Sequence, residues 1–372
     1  KNGWNPMPYL NQGEFYSEFG SFDVTITLPE NYVVGSTGDL QNASEIEFMK
    51  NLAQNTKADL LDIIKSNEND EGLKFPKSSE KLKTIRYRQD RVHDFAWFAD
   101  KRYVALKGEV ELPRTRKLVD TWALFVPDNA DVWQHAIEYL NDGTYFYSLW
   151  NGNYPYSHVT AVDGTISAGG GMEYPNVTVI GNSSSKEELE IVIVHEVGHN
   201  WFYGILGSNE RVHGWMDEGI NSFVEILAEY KYDSILFPMT KYPKNIVGYM
   251  KGDQDRLAPI MSQGDNVFNF GSNAYGKPAA ALFILRQTIM GPELFDHAFR
   301  TYANRWKFKH PTPADFFRTM EDASAMDLDW FWRGWFFTTG NNDIGIKEVK
   351  KYHLTNKPTA EAANVYKRYG IE

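Results

Sequence analysis

Ser185-Lys186-Glu187-Glu188-Leu189-Glu190-Ile191-Val192-Ile193-Val194-His195-Glu196-Val197-Gly198-His199-Asn200-Trp201-Phe202-Tyr203 is the stretch on which the reading of this chain turns. Ser185, with Glu188 three residues later, fits a capping box and predicts a helix start. Leu189, Val192, Ile193 and Val197 give that helix an apolar side, and Gly204 is its expected stop. Inside it lies His195-Glu196-Val197-Gly198-His199. Imidazoles four positions apart stand one turn above each other on one helix face, where both reach one ion. Glu196, next to the first of them, is placed to take a proton from water on that ion. Alone, the string also fits a helix surface with two ordinary histidines. A third ligand decides between the two.

Trp215-Met216-Asp217-Glu218-Gly219 opens a second predicted helix, with Ile220, Phe223, Ile226, Leu227 and Tyr230 on its apolar side. The chain between His199 and Glu218 is long enough for the first helix to end, turn and return antiparallel. Glu218 then completes a His₂Glu set and leaves a fourth zinc position open, as a catalytic site needs. Asp217 is the rival third ligand. Glu225, two turns beyond Glu218 on the same face, is a candidate acceptor for a ligand imidazole N–H. Asn200 and Asn221 are weaker candidates for the same task.

The rest of the chain frames this site. Its 372 residues suffice for one large core or two to three smaller ones. Lys and Arg number 38 against 49 Asp and Glu, a net charge of −11 with no basic run, which argues against a nucleic-acid partner. Cysteine is absent, so a metal must sit on His, Asp or Glu. No stretch approaches the ~18 apolar residues that cross a bilayer. The opening Lys1-Asn2-Gly3-Trp4 has no initiator Met and no apolar signal core, as in a trimmed chain or a fragment.

Phe22–Leu28 alternates with period two, and Tyr32–Val34, Thr84–Arg88, Tyr103–Leu106 and Val110–Leu112 read as further strands. Ser44 to Lys65 has helical spacing, and Ser66 to Gly72 reads as an acidic loop. The texture changes near residue 115. Thr121–Val126 is a strand, Asp128 a candidate helix cap, and the pattern is then mainly helical to about residue 340, with a strand at Val177–Ile180. His93, His135, His158, His213, His297, His310 and His353 lack paired ligand spacing and read as structural or surface residues. Trp201, Trp215 and the Trp330-Phe331-Trp332 cluster with Trp335 read as core.

HExxH, 18 intervening residues and a Glu resemble the gluzincin metallopeptidases. The finer pattern is similar to the alanyl aminopeptidase family, bacterial type, which also includes the leukotriene hydrolase. Gly170-Gly171-Met172-Glu173-Tyr174-Pro175 resembles that family's Gly-Ala-Met-Glu-Asn motif, with Gly171 for Ala and Tyr174 for Asn. Tyr275-Gly276-Lys277-Pro278 resembles its Tyr-x-Lys-Gly motif, with Pro for Gly, before a helix Ala279 to Met290. Phe15–Val24 and Asp94–Phe98 resemble parts of its N-terminal β-domain, whose earlier half, with a Gln-bearing segment of the amine site, would lie upstream.

The resemblance implies an α+β chain. A partial N-terminal β-sandwich-like domain would cover residues 1–115, and a mostly helical thermolysin-like zinc peptidase domain residues 116–345. A C-terminal extension, or the start of a further segment, would cover 346–372. It implies one Zn²⁺ on His195, His199 and Glu218, with Glu196 as general base and Tyr275 stabilising the oxyanion. Glu173 would bind the substrate's free α-amine, and Gly170, Gly171 and Met172 would line the peptide. The expected partners are peptides with a free N-terminus, and the expected location is a bacterial cell envelope or periplasm, the cytoplasm being the alternative. Rival readings are an endopeptidase, an epoxide hydrolase and a non-catalytic interaction protein.

Overall fold

The computed structural model describes residues 12–14, 16–68, 75–166, 170–233, 242–340, 345–351 and 357–370, with backbone alone at 242 and 243. Lys1-Asn2-Gly3-Trp4, Phe15, positions 69–72 of the expected loop and His353 lie outside them.

Ten strands are present among the described residues: β1 (Gly20–Pro29), β2 (Val33–Ser36), β3 (Asp39–Leu40), β4 (Leu82–Val92), β5 (Trp97–Asp100), β6 (Val104–Glu111), β7 (Leu118–Phe125), β8 (His158–Asp163), β9 (Gly171–Met172) and β10 (Val177–Ile180). The helices are α1 (Ala43–Glu68), α2 (Ala130–Trp133), α3 (Ala136–Asn151), α4 (Lys186–Gly198), α5 (Glu210–Gly214), α6 (Ile220–Tyr232), α7 (Tyr242–Asn245), α8 (Val247–Met250), α9 (Lys277–Ile284), α10 (Pro292–Trp306), α11 (Pro313–Ser324), α12 (Asp329–Phe336) and α13 (Ala360–Tyr369). This is an α+β chain.

The sheet that positions the site runs β6-β7-β8-β10-β9. Its two outer pairs, β6–β7 and β10–β9, are antiparallel, and the inner pairs are parallel. Successive residues of each strand face opposite sides. Ala123 and Phe125 enter the main core with Val159, Ala161 and Ile180. Their neighbours Leu124 and Val162 join Met49 and Ala53 of α1 in a second cluster on the other face. Strands covered on both faces lose the polar alternation that marks a half-exposed strand. For that reason β8, whose residues are nearly all buried, is not legible in the periodicity. β1, β4 and β3 form a smaller sheet, and β2 with β5 a two-stranded ribbon.

Several boundaries move. β6 is one continuous strand, because all eight of its residues pair with β7. That hairpin crosses residue 115, so a single sheet holds strands from both sides of the texture change. α1 continues through Ser66 to Glu68. Asp128 caps no helix: α2 follows Asn129, which makes no side-chain cap bond. Trp330 is exposed, unlike Trp201, Trp215 and Trp332. Lys1–Thr339 form one compact unit, and Gly340–Glu372 a second. The second unit carries α13, whose first turn is capped by the Thr359 hydroxyl accepting from Ala362 N–H. No helix among the described residues is long and apolar enough to cross a membrane.

Candidate metal centre

α4 begins at its expected cap, the Ser185 hydroxyl accepting from Glu188 N–H at 3.1 Å. The return bond differs from a capping box. The Glu188 carboxylate takes the N–H and hydroxyl of Ser184, at 2.7 and 2.5 Å, one residue earlier than the box prescribes. The helix ends at Gly198 rather than near Gly204. Beyond it the chain tightens into three-residue turns, Asn200 N–H donating to Val197 O and Trp201 N–H to Gly198 O. A side chain at Gly198 would collide with Tyr147 of α3 and Asn221 of α6, so glycine is what lets three helices meet at the motif.

Each histidine is fixed through Nδ1. His195 Nδ1–H donates to Glu225 Oε2 at 2.6 Å. His199 Nδ1–H donates to Asp217 Oδ1 and to Phe202 O, both at 2.6 Å. An ionised carboxylate only accepts, so in the neutral imidazole the proton lies on Nδ1 and the Nε2 lone pair faces inward. Glu218 leaves a π-helical turn, Trp215–Gly219, that leads into α6. Its Oε2 lies 3.2 Å from His195 Nε2 and 3.3 Å from His199 Nε2, and the two Nε2 atoms are 3.1 Å apart. Tetrahedral zinc with bonds of about 2.0 Å has ligand-to-ligand edges of about 3.3 Å. The triangle therefore fits three corners of such a site.

The electrostatics agree with a place built for positive charge. Burial disfavours a charged His195, yet Glu225 and Glu218 outweigh it and lift its pKa to about 10. Burial likewise opposes charge on His199, and Asp217 with Glu218 carries it well above the ordinary range. Glu196 points into the same space, and its Oε2 is buried without a hydrogen-bond partner among the described residues. Burial pushes its pKa up to about 7. Gly171 of the edge strand β9 lies so close that a Cβ there would strike the Glu196 side chain. Tyr275, on a second π-helical turn (Gly271–Gly276) before α9, donates to Glu218 Oε1 at 2.5 Å. Burial and the Glu218 charge together keep its phenol protonated.

Glu173 sits in the turn between β9 and β10. One of its oxygens lies within 4.8 Å of a His199 ring nitrogen. Its Oε1 is buried with no hydrogen-bond partner among the described residues. Burial and then the Glu14 charge hold its pKa well above the carboxylate range. Glu14 and Glu210 each bring an oxygen within 4.8 Å of it and of each other. Gly170 and Met172 flank this position. Gly170, at φ +69°, accepts from Gly181 N–H at 2.8 Å, and Met172 pairs with Val179.

The structure thus brings His195, His199, Glu218, Glu196, Tyr275 and Glu173 to one pocket. Neither Asn221 nor Asn200 meets a ligand imidazole. Asn221 Nδ2–H donates to the His195 carbonyl at 2.8 Å, and Asn200 turns towards the Glu173 loop. Sequence reasoning weighed Asp217 only as a rival ligand and missed it as the partner of His199. It missed Glu14 altogether, and no local pattern marks that residue. Glu14 arrives on a segment held by Arg211, which donates to the Gln12 and Gly13 carbonyls, and by Tyr203, whose hydroxyl accepts from Ser17 N–H at 2.7 Å.

The chain is similar to leucine aminopeptidase 2 of Emericella nidulans, 29% identical over 189 residues, which is 46% of this chain and 30% of that protein. It is 25% identical to leukotriene A-4 hydrolase of Xenopus laevis over 204 residues, 50% of this chain and 32% of that one. It spans about a third of the length of these relatives. Among solved structures, an M1 zinc metallopeptidase from Deinococcus radiodurans shares the fold with a TM-score of 0.62 at 15% identity, over 88% of this chain and 66% of that one. Legionella pneumophila aminopeptidase A shares it with a TM-score of 0.62 at 13% identity, over 85% of this chain and 34% of that one. The Peptidase family M1 domain matches residues 135–335, which is more than half of the sequence and includes every residue of the pocket except Glu14. The chain belongs to peptidase family M1.

Proposed function

We propose that this chain carries the catalytic part of a zinc-dependent aminopeptidase that removes one residue at a time from the N-terminus of peptides. The observation that carries the reading is Glu173, a buried carboxylate that has one oxygen without a partner among the described residues and that brings an oxygen within 4.8 Å of a ring nitrogen of His199. Zinc held by His195, His199 and Glu218 would supply a Lewis acid for the scissile carbonyl and a water acidified towards ~7. Glu196 takes the proton of the attacking water and passes it to the leaving amine. Its burial raises its affinity for a proton, as suits a group that must accept one from water. Tyr275, kept protonated, donates a hydrogen bond to the developing oxyanion. Glu173 and Glu14 pair with the substrate's ammonium group. That anchor fixes the distance from N-terminus to scissile bond, and so the length of what is cut off.

Aminoacyl anilides and their N-acetylated forms test the reading, each assayed with and without a chelator. The free-amine form should turn over at least about tenfold faster, the loss expected when a charged hydrogen bond is removed. Chelation should abolish turnover, and zinc should restore it. Equal rates on both forms would overturn the exopeptidase reading, and indifference to chelation would overturn the metal.

A further inference from the structure

The turn that carries Glu173 is poorly held by its own sheet. β9 contributes two residue pairs to β10, Met172 with Val179 and Gly171 with Ile180. Beyond Met172 the chain leaves the ladder until Asn176, whose carbonyl accepts from Thr160 N–H of β8 at 2.8 Å. Within that turn Val177 N–H donates to Tyr174 O, and Asn176 adopts φ +65°. Two pairs at a sheet edge do not define an angstrom-scale position for a side chain.

The stretch between those two ends is held from outside the sheet. On one side, the Thr37 hydroxyl donates to Pro175 O at 2.7 Å, and Gly38 N–H donates to Asn176 Oδ1 at 3.0 Å. On the other side, Asn176 N–H donates to Asn200 Oδ1 at 3.1 Å. Asn200 is the residue after the metal ligand His199. Its Nδ2–H donates to Val197 O at 3.1 Å. Thr37 and Asn176 are fully buried and Asn200 is 5% exposed, so water does not replace these bonds cheaply.

We propose that Asn200 is a positioning residue for the amine anchor. Its side chain ties the end of the metal helix to the turn bearing Glu173, and Thr37, Gly38 and Asn176 hold that turn from the other side. The relay sets the separation between the metal and Glu173. Asn200 touches neither metal nor substrate, and acts through Asn176. The inference rests on the aminopeptidase reading above.

The test uses the full chain and three readouts: zinc content, kcat and KM on a free aminoacyl anilide, and the ratio of kcat/KM on that substrate to kcat/KM on its N-acetylated form. Asn200→Ala should keep stoichiometric zinc. Its ratio should fall about tenfold or more through KM on the free amine, within the ~10²-fold cost of an angstrom misplacement. Asn200→Asp keeps an oxygen for Asn176 N–H and should recover most of the ratio. An Asn200→Ala protein that loses activity equally on both substrates, its ratio unchanged, overturns the proposal. If Asn200→Ala does not fold, Asn176→Gly removes only the Gly38 arm at a backbone angle glycine accepts. There a ratio unchanged from wild type overturns the proposal, and a fall of about threefold supports it. A wild-type ratio near unity would instead remove the aminopeptidase reading itself.

Discussion

The metal triangle and the Glu173 turn lie side by side but are held by opposite strategies. Each metal-facing atom belongs to a residue fixed by a partner on the next helix: Glu225 behind His195, Asp217 behind His199, Tyr275 against Glu218. Glu225 and Asp217 lie on α6 or in the helical turn before it, and Tyr275 on the helical turn before α9. Glu173 stands instead in the turn after a two-pair edge strand, with an oxygen unpaired among the described residues, and that turn is steadied by residues more than 130 positions away at Thr37 and Gly38. The contrast teaches that the metal triangle and the Glu173 turn are supported independently, so on the proposed reading metal binding and amine recognition should fail separately although their atoms are neighbours.

Three substitutions would break or sharpen that contrast. The largest effect belongs to Glu196→Gln, which should lower kcat by about 10²–10⁴-fold while zinc content stays at the wild-type value. A near-normal rate would remove Glu196 as general base. Asp217→Ala should weaken zinc binding by about 10–100-fold, read by chelator competition, since it strips the acceptor that orients His199. The preference for a free amine should survive wherever zinc is restored. Glu173→Gln should do the reverse: unchanged zinc affinity, and a preference for the free amine reduced by roughly tenfold, the worth of one charged hydrogen bond. If Asp217→Ala erased the amine preference at saturating zinc, or Glu173→Gln released zinc, the two regions would be one coupled unit and the contrast would fall.

The same asymmetry explains what was legible in the sequence. His195 with His199, and Glu218 with Glu225, are spaced one and two helical turns apart, which is local, and the length of chain between the two pairs let their meeting be expected. Glu173 and Tyr275 were reached through resemblance, because an edge-strand turn and a π-helical turn leave no periodic trace. Glu14 and the second task of Asn200 were not reachable. Each depends on a contact between segments far apart in the chain, fixed only by how β9, β10 and the N-terminal segment pack. The fold follows the same division. β1 alternates along its length, whereas β8 is buried on both faces and lacks that alternation.

The β6–β7 hairpin bears on how this protein can be dissected. A shortened polypeptide starting at residue 116, where the texture of the sequence changes, would lose all eight pairs between β6 and β7. It would carry β7 as a raw sheet border with Val119, Thr121, Ala123 and Phe125, each fully buried in the intact chain, beside open backbone donors and acceptors. Such a border recruits strands from other molecules. The minimal piece worth preparing for biophysical work therefore starts ahead of Val104, and any cut made for convenience at the apparent seam should yield precipitate rather than a smaller enzyme.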